Sequence, residues 1–117
     1  VNCEHIDIGT GGEQPAEAVI ETVLHLAGDP QTAPTGRPGA LFFGFRRAAV
    51  SIGPSDFDEN IEVSMHLERA GASHLGAKDD ADALFDLLAA KTDWRLELRY
   101  NDGRDEGPDR ARPLLAP

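Results

Sequence analysis

Ile61-Glu62-Val63-Ser64-Met65-His66-Leu67-Glu68 changes character at every step. A side-chain period of two is that of an extended strand, whereas a helix would repeat every 3.6 residues. Ile61, Val63, Met65 and Leu67 therefore share one face, and Glu62, Ser64, His66 and Glu68 share the other. A strand that is apolar on one face only belongs to an antiparallel sheet packed on one side and left open on the other.

The neighbouring segments are read against this strand. Upstream, residues 41–52 form an extended stretch whose phase breaks. Leu41, Phe43 and Phe45 share one face, while Ala48, Val50 and Ile52 share the other. A period of two cannot do that unbroken, so the spacing predicts a β-bulge or a break into two strands near Arg46-Arg47. Further upstream, Ala16, Val19, Ile20, Val23, Leu26 and Ala27 recur at helical spacing, and Gly28 ends the run. Residues 28–39 read as a long loop. At the start, Glu4-His5-Ile6-Asp7-Ile8 reads as a short strand burying Ile6 and Ile8. Downstream, Asp79 is the expected N-cap of a helix burying Ala81, Leu84, Phe85, Leu87 and Leu88. Trp94, Leu96, Leu98 and Tyr100 alternate with Arg95, Glu97 and Arg99 as a last strand.

The order is strand, helix, strand, strand, helix, strand. It predicts an α+β fold with a single sheet and both helices on one face, in the β-α-β-β-α-β ferredoxin-like arrangement or a related variant. The first and third strands are then central neighbours. One α+β domain is expected over residues 1–103, followed by a charged, Pro-rich C-terminal tail over residues 104–117.

Composition narrows the function. At 117 residues the chain has the length of one domain. Its formal net charge of −10 excludes nucleic acid and anionic membrane surfaces, which both need neutralising cations, and admits a basic protein partner. No apolar run is long enough to span a bilayer. Cys3 is the only cysteine and no export signal opens the chain, so the expected compartment is cytoplasmic.

Chemistry-bearing patterns are few. His5-Ile6-Asp7-Ile8-Gly9-Thr10-Gly11-Gly12 resembles the first motif of Rossmann-type methyltransferases. The resemblance implies an acidic residue at a strand end and a glycine turn that a nucleoside-bearing cofactor approaches. A doubly wound sheet needs a run of further strand-helix units, and the chain has too few. The stretch therefore reads as a flexible turn, and no cofactor is expected. Cys3, His5 and His66 carry zinc-ligand chemistry and could share the free sheet face, beside Asp7. Cross-strand pairs between Glu62 or Glu68 and Arg95 or Arg99 are the competing reading of that face. Arg46 and Arg47 form the only adjacent basic pair, at the inferred break, and are candidates for an anionic ligand or for local salt bridges. Phe42 is out of phase with Leu41, Phe43 and Phe45, and so is exposed, in an interface or lining a pocket. Asp56-Phe57-Asp58-Glu59 places an aromatic anchor among charges that would steer a basic partner.

No histidine, carboxylate pair or serine stands in a catalytic pattern. The expected function is therefore a small acidic interaction module, homo-oligomeric or bound to a basic protein, of which an inhibitor or immunity-type protein is one form. The rival is a small enzyme or ligand-binding domain with its pocket between the sheet and the 28–39 loop.

Overall fold

The computed structural model describes residues 3–28, 35–37, 40–55, 60–71, 76–100 and 107–115. These form an α+β fold with one antiparallel sheet of seven strands and two helices. In chain order the elements are β1 (Glu4–Gly9), α1 (Ala16–Ala27), β2 (Thr35–Arg37), β3 (Ala40–Phe45), β4 (Ala48–Pro54), β5 (Val63–Arg69), α2 (Lys78–Lys91), β6 (Arg95–Arg99) and β7 (Arg110–Arg112). Across the sheet the order is β2-β3-β4-β5-β1-β6-β7.

The alternation at residues 61–68 decides the facing as expected. Val63, Met65 and Leu67 are fully buried, while Ser64, His66 and Glu68 are only partly so. They pair with β1 in the register Ile6↔Met65 and Ile8↔Val63, and β1 pairs with β6 as Ile6↔Leu98 and Ile8↔Leu96. These residues form the floor of the core. Val19 and Val23 of α1 and Ala81, Leu84, Phe85 and Leu88 of α2 close it from one side. Each fully buried aliphatic side chain in this layer contributes roughly 1.5–3 kcal/mol relative to exposure.

The phase break in residues 41–52 is a hairpin. β3 and β4 are joined by the two residues Arg46-Arg47 and pair as Leu41↔Ile52, Phe43↔Val50 and Phe45↔Ala48. Partners across an antiparallel pair lie on the same face, so both apolar sets point to the core and no bulge is required. Arg46 takes the left-handed conformation, φ 56°, that a tight hairpin turn demands.

Three further expectations are corrected. The loop at 28–39 contains strand β2, paired to β3 as Thr35↔Phe42. The first residue of α2 is Lys78, and its N-cap is Ala77, which supplies no side-chain cap; Asp79 lies inside the first turn. The segment expected as a tail supplies β7, paired to β6 as Leu98↔Arg110 and Leu96↔Arg112. Two arginines pin it to α2. Arg110 reaches the carboxylates of Asp82 and Asp86 and lies over the Phe85 ring. Arg112 donates to the carbonyls of Ala89, Thr92 and Trp94, the groups a helix end leaves without partners. Beyond β7, the Leu115 N–H donates to the Asp93 carbonyl at 2.9 Å.

Candidate functional site

The helices cover one face of the sheet, and among the described residues no helix or strand is layered on the other. Register places Thr35, Phe42, Ser51, His66, His5 and Arg99 in one row across that open face. The row has two distinct halves.

On β1, β5 and β6 the half is a polar network. The His5 ring Nε2 lies 2.6 Å from the Asp7 carboxylate, the Ser64 hydroxyl donates to it at 2.8 Å, and Arg99 donates at 3.2 Å. Arg99 and Arg95 both pair with Glu97. His5 and Asp7 are buried on the face that neither helix covers. Burial alone would push the Asp7 carboxyl up. The hydrogen bond and charge of His5, the Ser64 hydroxyl and the Arg99 guanidinium outweigh it and hold the group below the ordinary carboxylate value. Cross-strand pairing was expected here, but its partners differ. Arg95 and Arg99 pair with Glu97 on their own strand, and Glu62 turns away to another task.

The proposed zinc ligands converge in part. The Cys3 thiol lies 3.5 Å from His66 Nδ1, and the His5 and His66 rings meet edge to face at 4.4 Å. An imidazole beside a thiol can draw off its proton. Among the described residues, however, no three His, Cys, Asp or Glu side chains form a group that would hold a metal ion. His5 directs its Nε2 at Asp7 instead.

The other half of the row, Thr35, Phe42 and Ser51, carries no charge. Phe42, 50% exposed, stands on β3 opposite Ser51, and the next position along, Gly44, faces Ala49. This is where the phase argument placed Phe42, on the face opposite Phe43.

Arg46 and Arg47 project from the β3–β4 turn and line a cleft of about 450 Å³ with Arg69 and the start of α2. Arg46 pairs with Asp80 at 3.5 Å, and the Arg47 backbone N–H donates to the same carboxylate at 3.1 Å. The acidic group at residues 79–82 is thus largely engaged within the molecule. Asp80 is buried against the turn, and Asp82 accepts from the Tyr100 hydroxyl at 2.5 Å and from Arg110. Burial and Asp82 together push the Tyr100 hydroxyl up to about 12. Asp56, Phe57, Asp58 and Glu59 lie outside the described residues. So does most of the 28–39 loop, against which the rival pocket was placed.

The glycine turn after β1 is occupied by the protein itself. The Glu62 carboxylate accepts from the Thr10 and Gly12 amides at 2.6 and 3.2 Å. Gly11 and Gly12 both take positive φ, which aims those amides inward. The sheet among the described residues is antiparallel throughout, unlike the parallel sheet that the methyltransferase resemblance implies.

Two residues escaped the sequence reading. Glu4 is 1% exposed on the core face and accepts the Ala77 N–H at 2.7 Å, which fixes the entry to α2. Parity with Ile6 was the signal. Arg69 ends the core face of β5, in register with Ala48; parity with Leu67 was its signal.

Among the described residues no helix is long and apolar enough to cross a membrane. Comparison with protein-family models, with curated proteins and with solved structures finds no match to this chain.

Proposed function

We propose that this chain is an interaction module that pairs with a second copy of itself through the open face of its sheet. The observation that carries the reading is Phe42, a half-exposed aromatic on a face whose neighbours, Gly44, Ala49 and Ser51, are small. An aromatic anchor among small, uncharged neighbours suits the core of a protein–protein contact. A symmetric dimer places the same patch on both partners, so Phe42 of each copy meets the small residues of the other.

Two features favour the face over the edges, and a second copy over a basic partner. The outer strands β2 and β7 are three residues each, too short to template edge-to-edge pairing. The open face carries Arg95 and Arg99 against Asp7, Glu97 and Glu68, so it is close to neutral in a chain of net charge −10. A nearly neutral face is where two copies of an acidic chain repel least.

The strand order supports a finer reading of the fold. We take β6-β1-β5-β4 with α1 and α2 on one side as a ferredoxin-like core, to which β3, β2 and β7 are added. A cytoplasmic setting suits a chain with a single cysteine, which cannot form a disulfide within the chain. The basic-partner form of the function rests on Phe57 and its acidic neighbours at residues 53–60, and it makes the opposite salt prediction.

Salt therefore separates the two. Sedimentation equilibrium from about 0.05 to 0.5 M salt should show self-association strengthening, because screening relieves like-charge repulsion between the copies. A chain that stays monomeric throughout, and instead binds a basic protein that salt releases, would replace this reading with the other.

A further inference from the structure

We propose that the cleft between the β3–β4 turn and the start of α2 is a binding site for the phosphate group of a small molecule. The cleft is separate from the open sheet face and measures about 450 Å³, within the range of small-ligand sites. Its side chains are Arg46, Arg47, Arg69, Lys78, Asp79 and Asp80.

The charge distribution is the first argument. The chain holds 21 acidic residues and 11 basic ones, yet four of the 11 line this one cleft against two carboxylates. One of those two, Asp80, is already engaged by Arg46 and by the Arg47 backbone. Against those two carboxylates the four cations leave a local positive surplus in a chain whose net charge is −10.

The second argument is unspent donors. The Arg69 side chain has no hydrogen-bond partner among the described residues, and its Nε is buried. A buried guanidinium nitrogen without an acceptor costs roughly 1–3 kcal/mol or more. The Arg47 guanidinium has no partner among the described residues either; its backbone N–H and carbonyl are the groups that are bonded. Lys78 is held with its ammonium 4.4 Å from the centre of the Tyr100 ring, at the same end of the helix.

The third argument comes from α2. It has 14 residues, and its N-cap, Ala77, provides no side-chain acceptor. Glu4 takes the Ala77 N–H and its carboxylate lies against Gly76, and the later amides of the first turn remain as donors where the helix start lines the cleft. An oxyanion here would meet guanidinium forks from two strands and backbone amides from a helix start. Arginine dominates the set, and its planar fork fits phosphate oxygens in pairs. A bare phosphate leaves most of this volume empty, so the geometry favours a phosphate ester over the free ion.

The test uses the full chain, ¹⁵N-labelled, titrated with inorganic phosphate and with ribose 5-phosphate at fixed ionic strength. Saturable shifts are expected at the amides of Arg47, Ala77 and Lys78, with a dissociation constant on the order of 1 mM or tighter. Tighter binding of the ester assigns the cleft to a phosphorylated molecule, and equal binding assigns it to the ion itself. Arg69→Met should weaken binding about tenfold or more, the loss of one good charge-assisted contact. Arg47→Gln, at an exposed turn, should weaken it in the same direction without disturbing the fold. Arg95→Gln, on the open face, should leave it unchanged. The proposal is overturned if neither ligand gives saturable shifts, or if Arg95→Gln weakens binding as much as the cleft variants do.

Discussion

Replacing Arg112 with alanine tests whether the chain beyond residue 106 belongs to the fold. One guanidinium serves three carbonyls at the C-terminal end of α2: Ala89 at 2.7 Å, Thr92 at 2.8 Å and Trp94 at 2.6 and 3.0 Å. A hydrogen bond to a charged group contributes about 1.5–3 kcal/mol, and a cation at a helix C-terminus adds roughly 0.3–1 kcal/mol. The contributions do not add fully. They share one side chain, and Arg112 is half-buried, so water can replace part of what is lost. The expected cost of Arg112→Ala is therefore about 2–3 kcal/mol. That is a large fraction of the roughly 5–15 kcal/mol that holds a domain of this size together. Arg112→Lys should recover less than half, because one ammonium cannot span three acceptors in a planar fork. Urea denaturation followed by Trp94 fluorescence reads the change, since Trp94 is buried and offers its own carbonyl to Arg112. A loss below about 0.5 kcal/mol would place Arg112 in solvent and return β7 to the tail that composition suggested.

Two further perturbations probe the sheet. Met65→Ala, at a fully buried position, should cost roughly 2–5 kcal/mol in the same assay, while Ser64→Ala should cost about 1 kcal/mol for its hydrogen bond to Asp7. The reverse ranking would invert the facing of β5. Asp7 has a folded pKa below its unfolded value of 3.8, so its contribution is fully present above that pH. It is lost as pH falls from the ordinary carboxylate value through the folded one, where the unfolded chain takes up the proton first. Asp7→Asn should therefore be less stable than the parent at pH 7 and should lose less stability on going to about pH 3. Parallel pH profiles for the two would show that Asp7 is not held by its neighbours.

Much of this fold was legible because a one-sided sheet writes itself as alternation. β5 and β6 show it cleanly, and both helices show it at their own period. The break at Arg46-Arg47 was legible as a break. Its form was not, because a two-residue hairpin and a bulge shift the phase alike. β2 and β7 were missed because three-residue strands carry too little pattern, and because Arg110 and Arg112 point to the helix side. There their stems pack, and their charge is spent on carboxylates and carbonyls. On the open face Cys3 lies against His66 and His66 against His5, where their shared parity placed them. What the sequence could not give is that the His5 ring is turned onto Asp7. Nor could it show that Asp80 and Asp82 are bound within the fold.

The central claim is that the open face pairs two copies around Phe42, and light scattering of Phe42→Ser beside the parent chain tests it most directly. Truncating an aromatic anchor at an interface centre costs about 2 kcal/mol or more, at least a thirtyfold weaker association. Half-exposed in the monomer, Phe42 contributes much less to folding. The account predicts a dimeric mass for the parent at micromolar concentration and a monomeric mass for Phe42→Ser, with denaturation midpoints that stay close once measured on monomer. Equal masses for the two chains, whether both monomer or both dimer, would contradict it.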